Sequence, residues 1–259
     1  KVLNPIGFAG KTLSFCLENT YLHYYFWEAI KDILKNWGGE LILCAEKNLI
    51  FDKIFSLINK GEKIAMVDIG FYSTGIGILG NYLNSFKSFN WGSENLIEIV
   101  SENLAVSFEV AKEIIDLYQR NELSNDASLW FRKLFEKELK LLVGGTALAL
   151  RDAPIKENIR HIYLAGELEN FPYLIETFKK QKWPPSIFSN DLDITFYSAF
   201  NLIDDLNIEI INFNNKKSSD DLIISLASIF VIENKYEEMN KILKRRIKWL
   251  NKNLLKKTN

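Results

Sequence analysis

Asp68 lies at the end of an apolar run, Ile64-Ala65-Met66-Val67-Asp68-Ile69, that reads as a buried strand. The loop Gly70-Phe71-Tyr72-Ser73-Thr74 follows it. A carboxylate at a strand end can order a water or the shell of a Mg²⁺ ion, and loop amides with the Ser73 and Thr74 hydroxyls can face a phosphate. Gly166 follows a second apolar strand and opens a strand–Gly–helix unit, which can bring backbone close to another part of a nucleotide. A plainer role for Asp68, an acid capping a turn, stays open at this level. Two cysteines (Cys16, Cys44) and two histidines (His23, His161) exclude a disulfide framework and make a zinc site improbable. No Ser–His–Asp or Cys–His arrangement stands out. The cysteines read as small buried hydrophobes, His161 as a surface or edge residue, and His23 with Tyr24, Tyr25, Phe26 and Trp27 as packing.

The elements that must hold these residues alternate between strand and helix, so the fold class is α/β. Residues 1–19 read as turn then strand, 22–37 as a helix ended by Gly38-Gly39, 40–44 as a strand and 47–60 as a helix. Strands at 64–69, 75–79 and 82–89 follow, the last two joined by a Gly80-Asn81 turn. Helices are expected at 93–104, at 107–121 and from 127 onward, the last with Trp130, Leu134, Leu141 and Leu142 as apolar positions and a break at Gly144-Gly145. A strand at 159–165, a helix at 172–181 with Pro172 in its first turn, a strand at 208–213 and helices at 220–233 and 237–255 complete the reading.

The chain has 259 residues, 47% hydrophobic and 25% charged, values that suit a packed globular protein. A formal net charge of −1 argues against a nucleic-acid binder as a whole, yet it hides an asymmetry. Residues 241–259 hold eight of the 32 basic residues and none of the 33 acidic ones, so the rest carries 24 bases against 33 acids, a net of −9. In this tail Leu243, Ile247, Leu250 and Leu254 recur on one helical face, with Lys244, Arg245, Arg246, Lys248 and Trp249 around them. Such a helix can lie in a bilayer interface, where each base near anionic lipid contributes about 1 kcal/mol. A helix docked on the body, or a tail on nucleic acid, are the alternatives.

Four stretches, taken in order, resemble the actin-like ATPase superfamily, and within it the bacterial cell-division protein FtsA and its pilus-assembly relative PilM. Asn4-Pro5-Ile6-Gly7-Phe8-Ala9-Gly10-Lys11-Thr12-Leu13 resembles the FtsA "(D/N)PIGM-x-G-x-x-L" stretch of its 1C subdomain, of SHS2 type. Val67-Asp68-Ile69-Gly70-Phe71-Tyr72-Ser73-Thr74 resembles the second phosphate loop, "VDIGGGTTD". Trp91-Gly92-Ser93-Glu94-Asn95 with the Ala111 region resembles "GGN…AE-x-x-K", and Ile162-Tyr163-Leu164-Ala165-Gly166 onward resembles the adenosine motif. The resemblance implies an actin-like (ribonuclease H-like) fold, mainly its second lobe. Residues 1–40 would be the end of a 1C-like subdomain, 41–92 and 145–233 a 2A-type subdomain, 93–144 a reduced 2B-type subdomain, and 234–259 the basic C-terminal helix. It implies a nucleotide site, vestigial here, at Asp68, Gly70, Ser73, Thr74, Gly92 and Gly166; no catalytic residue and no metal-ligating residue is assigned.

The same comparison marks departures. Phe71 and Tyr72 stand at family glycines, Gly75 replaces an Asp, Ser93 a Gly, Lys112 a Glu, Ile115 a Lys, and Glu167 the second adenosine-motif Gly. The expectation is a degenerate site, with ATP and Mg²⁺ bound weakly or not at all, and a scaffold in place of an enzyme. The expected protein tethers a cell-division filament of FtsZ type to the inner face of the cytoplasmic membrane, and self-association is compatible with it. A PilM-like adaptor that binds a pilus-assembly peptide, or an active ATPase of the superfamily, are the alternatives. No nucleic acid is expected as partner.

The tail carries its own test. Ile247→Asp with Leu250→Asp is expected to release the protein from anionic liposomes in a co-pelleting assay while melting of the body stays cooperative; loss of cooperativity would instead make the tail a docked structural helix.

Overall fold

The computed structural model describes residues 22–39, 47, 50, 51, 55, 62–79, 85–151, 159–197 and 201. The strands expected at 1–19, 40–44 and 208–213, the Gly80-Asn81 turn, the helices at 220–233 and 237–255, both cysteines and the basic tail lie outside the described residues. The chain divides into two compact units, Lys1–Glu46 and Lys47–Asn259.

In the first unit, α1 spans Tyr24–Asn36. His23 caps it, its ring nitrogen accepting from the Tyr25 amide at 3.4 Å. Gly38, in the left-handed conformation, ends it, and the Gly39 amide returns to the Leu34 carbonyl at 2.8 Å. The expectation that His23 and its aromatic neighbours pack inward is corrected here. His23 is exposed, and so are Tyr24, Tyr25 and Phe26. Consecutive residues point about 100° apart around a helix, so a run of adjacent aromatics cannot share one buried face.

The second unit is built on a five-stranded sheet in the order β3-β2-β1-β4-β5. The strands are β1 (Ile64–Ile69), β2 (Thr74–Leu79), β3 (Ser85–Phe89), β4 (Ile159–Gly166) and β5 (Phe188–Phe196). The first three form an antiparallel meander, while β4 runs parallel to β1 and to β5. Central β1 is apolar almost throughout because both its faces are covered. Ala65, Val67 and Ile69 face one core, with Ile162, Leu164 and Ile194 of the neighbouring strands. Ile64 and Met66 alternate to the other face. There Tyr163, in register with Met66, stacks on Phe55 at 5.5 Å, and the described residues 47, 50, 51 and 55 are helical.

Helices α2 (Ser93–Leu104), α3 (Phe108–Gln119), α4 (Asn125–Arg151) and α5 (Leu174–Lys180) complete this unit. The Ser107 side chain caps α3. The buried stripe of α4 is Phe131, Phe135, Leu139, Leu142, Val143, Thr146 and Leu150. Trp130 and Leu141, expected among its apolar contacts, fall off that stripe and are exposed. The helix also runs through Gly144-Gly145 without the expected break. A side chain at Gly145 would strike the Phe89 ring, so that glycine serves close packing of α4 on β3. Helix α5 starts two residues later than Pro172 implied, because Tyr173 adopts a left-handed conformation (φ 65°) that no α-helix passes through. Strand β5 lies in a stretch to which the sequence reading assigns no element. Its Ser189, Asn190, Asp191 and Asp193 dilute the strand signal, and only Leu192, Ile194 and Phe196 alternate clearly. His161 lies within β4, between β1 and β5, and stacks on Tyr163, so of the two expected settings it takes the surface one, its side chain 35% exposed, and not the sheet edge.

Candidate functional site

The carboxyl ends of β1 and β4 lie side by side, with Ile69 in register with Gly166. Chain order runs outward in both directions from β1, and in open α/β sheets such a point leaves a crevice outside the strand ends. Every described candidate residue belongs to this corner.

Asp68 is flanked in register by Gly75 and Ala165, two small residues that leave room around its carboxylate. One oxygen, Oδ2, receives the Lys47 ammonium at 2.5 Å. The other, Oδ1, is buried and has no hydrogen-bond partner among the described residues. The Lys47 ammonium also sits 5.6 Å over the Phe51 ring. Sequence reading missed Lys47, because nothing in a helical 47–60 tells which strand its first turn approaches.

The loop after Asp68 is tied to the start of α2. The Ser93 and Glu94 amides donate to the Gly70 and Phe71 carbonyls at 3.0 Å each. Asn95 Oδ1 accepts from the Gly92 amide at 2.9 Å. A side chain at Gly92 would collide with the Phe71 carbonyl, so only glycine allows this approach. Gly70 donates its amide to the Ser73 carbonyl, closing the turn. The Thr74 hydroxyl, expected to face a phosphate, is fully buried and donates instead to the Trp91 carbonyl at 2.8 Å. Ser73 is exposed. Phe71 turns its ring onto Phe108 and Tyr72, at 6.2 and 4.7 Å between centroids, and Tyr72 is exposed.

On the β4 side, Gly166 has φ 104°, and a side chain there would strike the Ile69 carbonyl. The Glu167 amide donates to that same carbonyl at 2.9 Å. The Glu167 carboxylate then accepts the Ser93 hydroxyl at 2.5 Å, across the first turn of α2. Gln119, at the end of α3, approaches the Glu167 carbonyl at 3.4 Å. In the stretch that resembles AE-x-x-K, the matching Ala111 is buried in the core, and of the departures Ile115 is buried and Lys112 exposed. Among the described residues, no three carboxylate, imidazole or thiol groups gather as metal ligands. No described helix is long and apolar enough to cross a membrane.

No family model and no curated protein matches the chain. Solved structures do. The PilM–PilN type IV pilus biogenesis complex aligns with a TM-score of 0.56 at 12% identity, over 78% of this chain and 56% of that one. MreB5 of Spiroplasma citri bound to ADP aligns with a TM-score of 0.55 at 14% identity, over 85% and 68%. The fold is actin-like. The ethanolamine utilization protein EutJ from Carboxydothermus hydrogenoformans is also matched, with a TM-score of 0.47 at 14% identity, over 65% and 54%. The chain thus spans a little over half the length of the EutJ and PilM structures. At these identities the likeness is one of fold. In the actin-like fold described here, Asp68, the Gly70 loop, Gly92 and Gly166 occupy one corner at the strand ends.

Thermal unfolding tests the close approach at Gly92. Gly92→Ala is expected to lower stability by about 2 kcal/mol or more, since it strikes backbone. Gly144→Ala, which meets nothing within 4 Å on the exposed side of α4, is expected to be neutral or to stabilise by up to about 1 kcal/mol. Equal effects at the two sites would contradict the close approach.

Proposed function

We propose that the chain is an actin-fold scaffold whose nucleotide corner is held shut by its own side chains and backbone. The observation that carries this reading is the pairing of donors and acceptors at the strand ends. An α-helix start offers unpaired amides to an anion. Here the Ser93 and Glu94 amides are already engaged by loop carbonyls, and the Thr74 hydroxyl by Trp91. Asp68 already holds a cation, the Lys47 ammonium. The Glu167 carboxylate adds a negative charge beside the first turn of α2, where it would repel a phosphate. These residues do not fit a Mg²⁺–ATP phosphate chain in this arrangement.

The finer reading is an FtsA-like tether. Residues 243–254 would hold it to anionic lipid at the cytoplasmic face, and its partner would be a filament protein of FtsZ type. Its support is the sequence resemblance at residues 4–13 together with the basic tail. A PilM-like adaptor is the second reading. The fold likeness to the PilM–PilN complex favours it, and its partner would be a pilus-assembly peptide.

Thermal unfolding with saturating Mg²⁺–ATP or Mg²⁺–ADP tests the closed corner. A ligand at 100 times its Kd stabilises by about 2.7 kcal/mol, several degrees for a domain of this size. The expected shift is under about 1 °C with either nucleotide. A shift of about 5 °C or more would make the protein a nucleotide binder and overturn the reading.

A further inference from the structure

A second concavity, of about 300 Å³, lies away from the strand ends, between α4, α5 and the end of α3. That volume is at the lower end of small-molecule sites. Phe135, Leu139 and Val143 of α4 supply apolar lining, and Pro172 adds to it. Charged groups rim it in a pattern that leaves one over. Glu136 and Lys140 pair along α4 at 2.7 Å, and Glu176 and Lys180 pair along α5 at 2.6 Å. In both pairs the lysine holds the carboxyl below its ordinary range, so the glutamates are ionised and matched.

Arg132 is the fifth charge. It makes no hydrogen bond among the described residues and reaches Glu176, already paired with Lys180, only at 4.0 Å. Its guanidinium lies 3.8 Å over the Tyr173 ring. Stacking engages the face of a guanidinium and leaves its edge N–H donors for a planar anion. Tyr173 itself holds a left-handed backbone (φ 65°), a conformation of the kind that clusters at ligand clamps.

Tyr118 is the second unengaged group. Its side chain is 2% exposed, lines the cavity and forms no hydrogen bond among the described residues. Burial pushes its phenol up to about 12, so at neutral pH it is an uncharged donor. A hydroxyl that lines a cavity without a hydrogen-bond partner among the described residues can donate to a ligand acceptor there.

We propose that this cavity binds a carboxylate carried on an apolar body, with Arg132 and Tyr118 holding the carboxylate and the Phe135–Val143 face holding the body. One surplus positive charge matches a monoanion; a phosphate dianion would leave a net negative charge over an apolar floor. The shared chemistry comes from a free organic acid or from the C-terminus of a peptide ending in an apolar residue.

Saturation-transfer NMR titrations of the full chain test it with three probes: N-acetylphenylalanine, its neutral amide, and acetyl-alanyl-alanyl-phenylalanine. The expected result is saturable binding of N-acetylphenylalanine, with the amide about tenfold weaker or worse. Arg132→Met should weaken the acid by a similar factor without lowering the melting midpoint by more than a few degrees. Tyr118→Phe, which keeps the ring packing, should weaken it about threefold or more. A tripeptide about tenfold tighter than N-acetylphenylalanine assigns a peptide terminus, and equal affinities assign a free acid; both support the site. Equal binding of acid and amide, no saturable binding of either acid at millimolar concentration, or unchanged binding by both variants would overturn it.

Discussion

Two hydrogen bonds, from the Ser93 and Glu94 amides to the Gly70 and Phe71 carbonyls, set the character of the corner at the strand ends. A helix start is an anion site because its first amides lack partners within the helix. Here a neighbouring loop supplies the partners. Once the loop lies against the helix, Gly92 has no room for a side chain, and Thr74 lies buried under the Trp91 carbonyl. The Trp91 indole in turn donates to Glu138 of α4 at 3.3 Å, so the clamp extends from loop to helix layer.

Charge completes what the backbone begins. A part-buried carboxylate such as Asp68 needs a counter-charge, whether a ligand's metal ion or a side chain. Lys47 supplies it, from the face of the sheet opposite α2. On the other side Glu167 takes the Ser93 hydroxyl. The corner therefore holds a positive group against Asp68 and a negative one beside α2, the same order in which a Mg²⁺–phosphate chain would present its charges, so the chain's own side chains stand where the ligand's would. The cavity around Arg132 and Tyr118 shows the contrasting state, with donors left over where the corner leaves almost none.

Much of this fold is written in local pattern. The apolar run at 64–69 and the Gly92-Ser93 helix start are short-range signals, and each element forms where they place it. The actin-like class is legible because motif order along the chain outlives identity. What local pattern cannot carry is pairing across the chain. Lys47 meets Asp68 over 21 positions, Glu167 meets Ser93 over 74, and Phe89 fills the gap at Gly145. Strand β5 escapes for another reason. It is half exposed and, among the described residues, paired on one side only, so its polar residues carry little penalty and its alternation is faint.

The closed corner turns on Asp68 being bound by a lysine of its own chain. A double-mutant cycle with Lys47→Met, Asp68→Asn and their combination, read by denaturant unfolding, measures that bond directly. The account predicts a coupling of about 1 kcal/mol or more, with Lys47→Met alone clearly destabilising because it leaves a part-buried carboxylate unmatched. Additive effects, within about 0.3 kcal/mol of zero coupling, would mean that the Asp68 carboxylate stands open to another cation, and the closed corner would fall with that result.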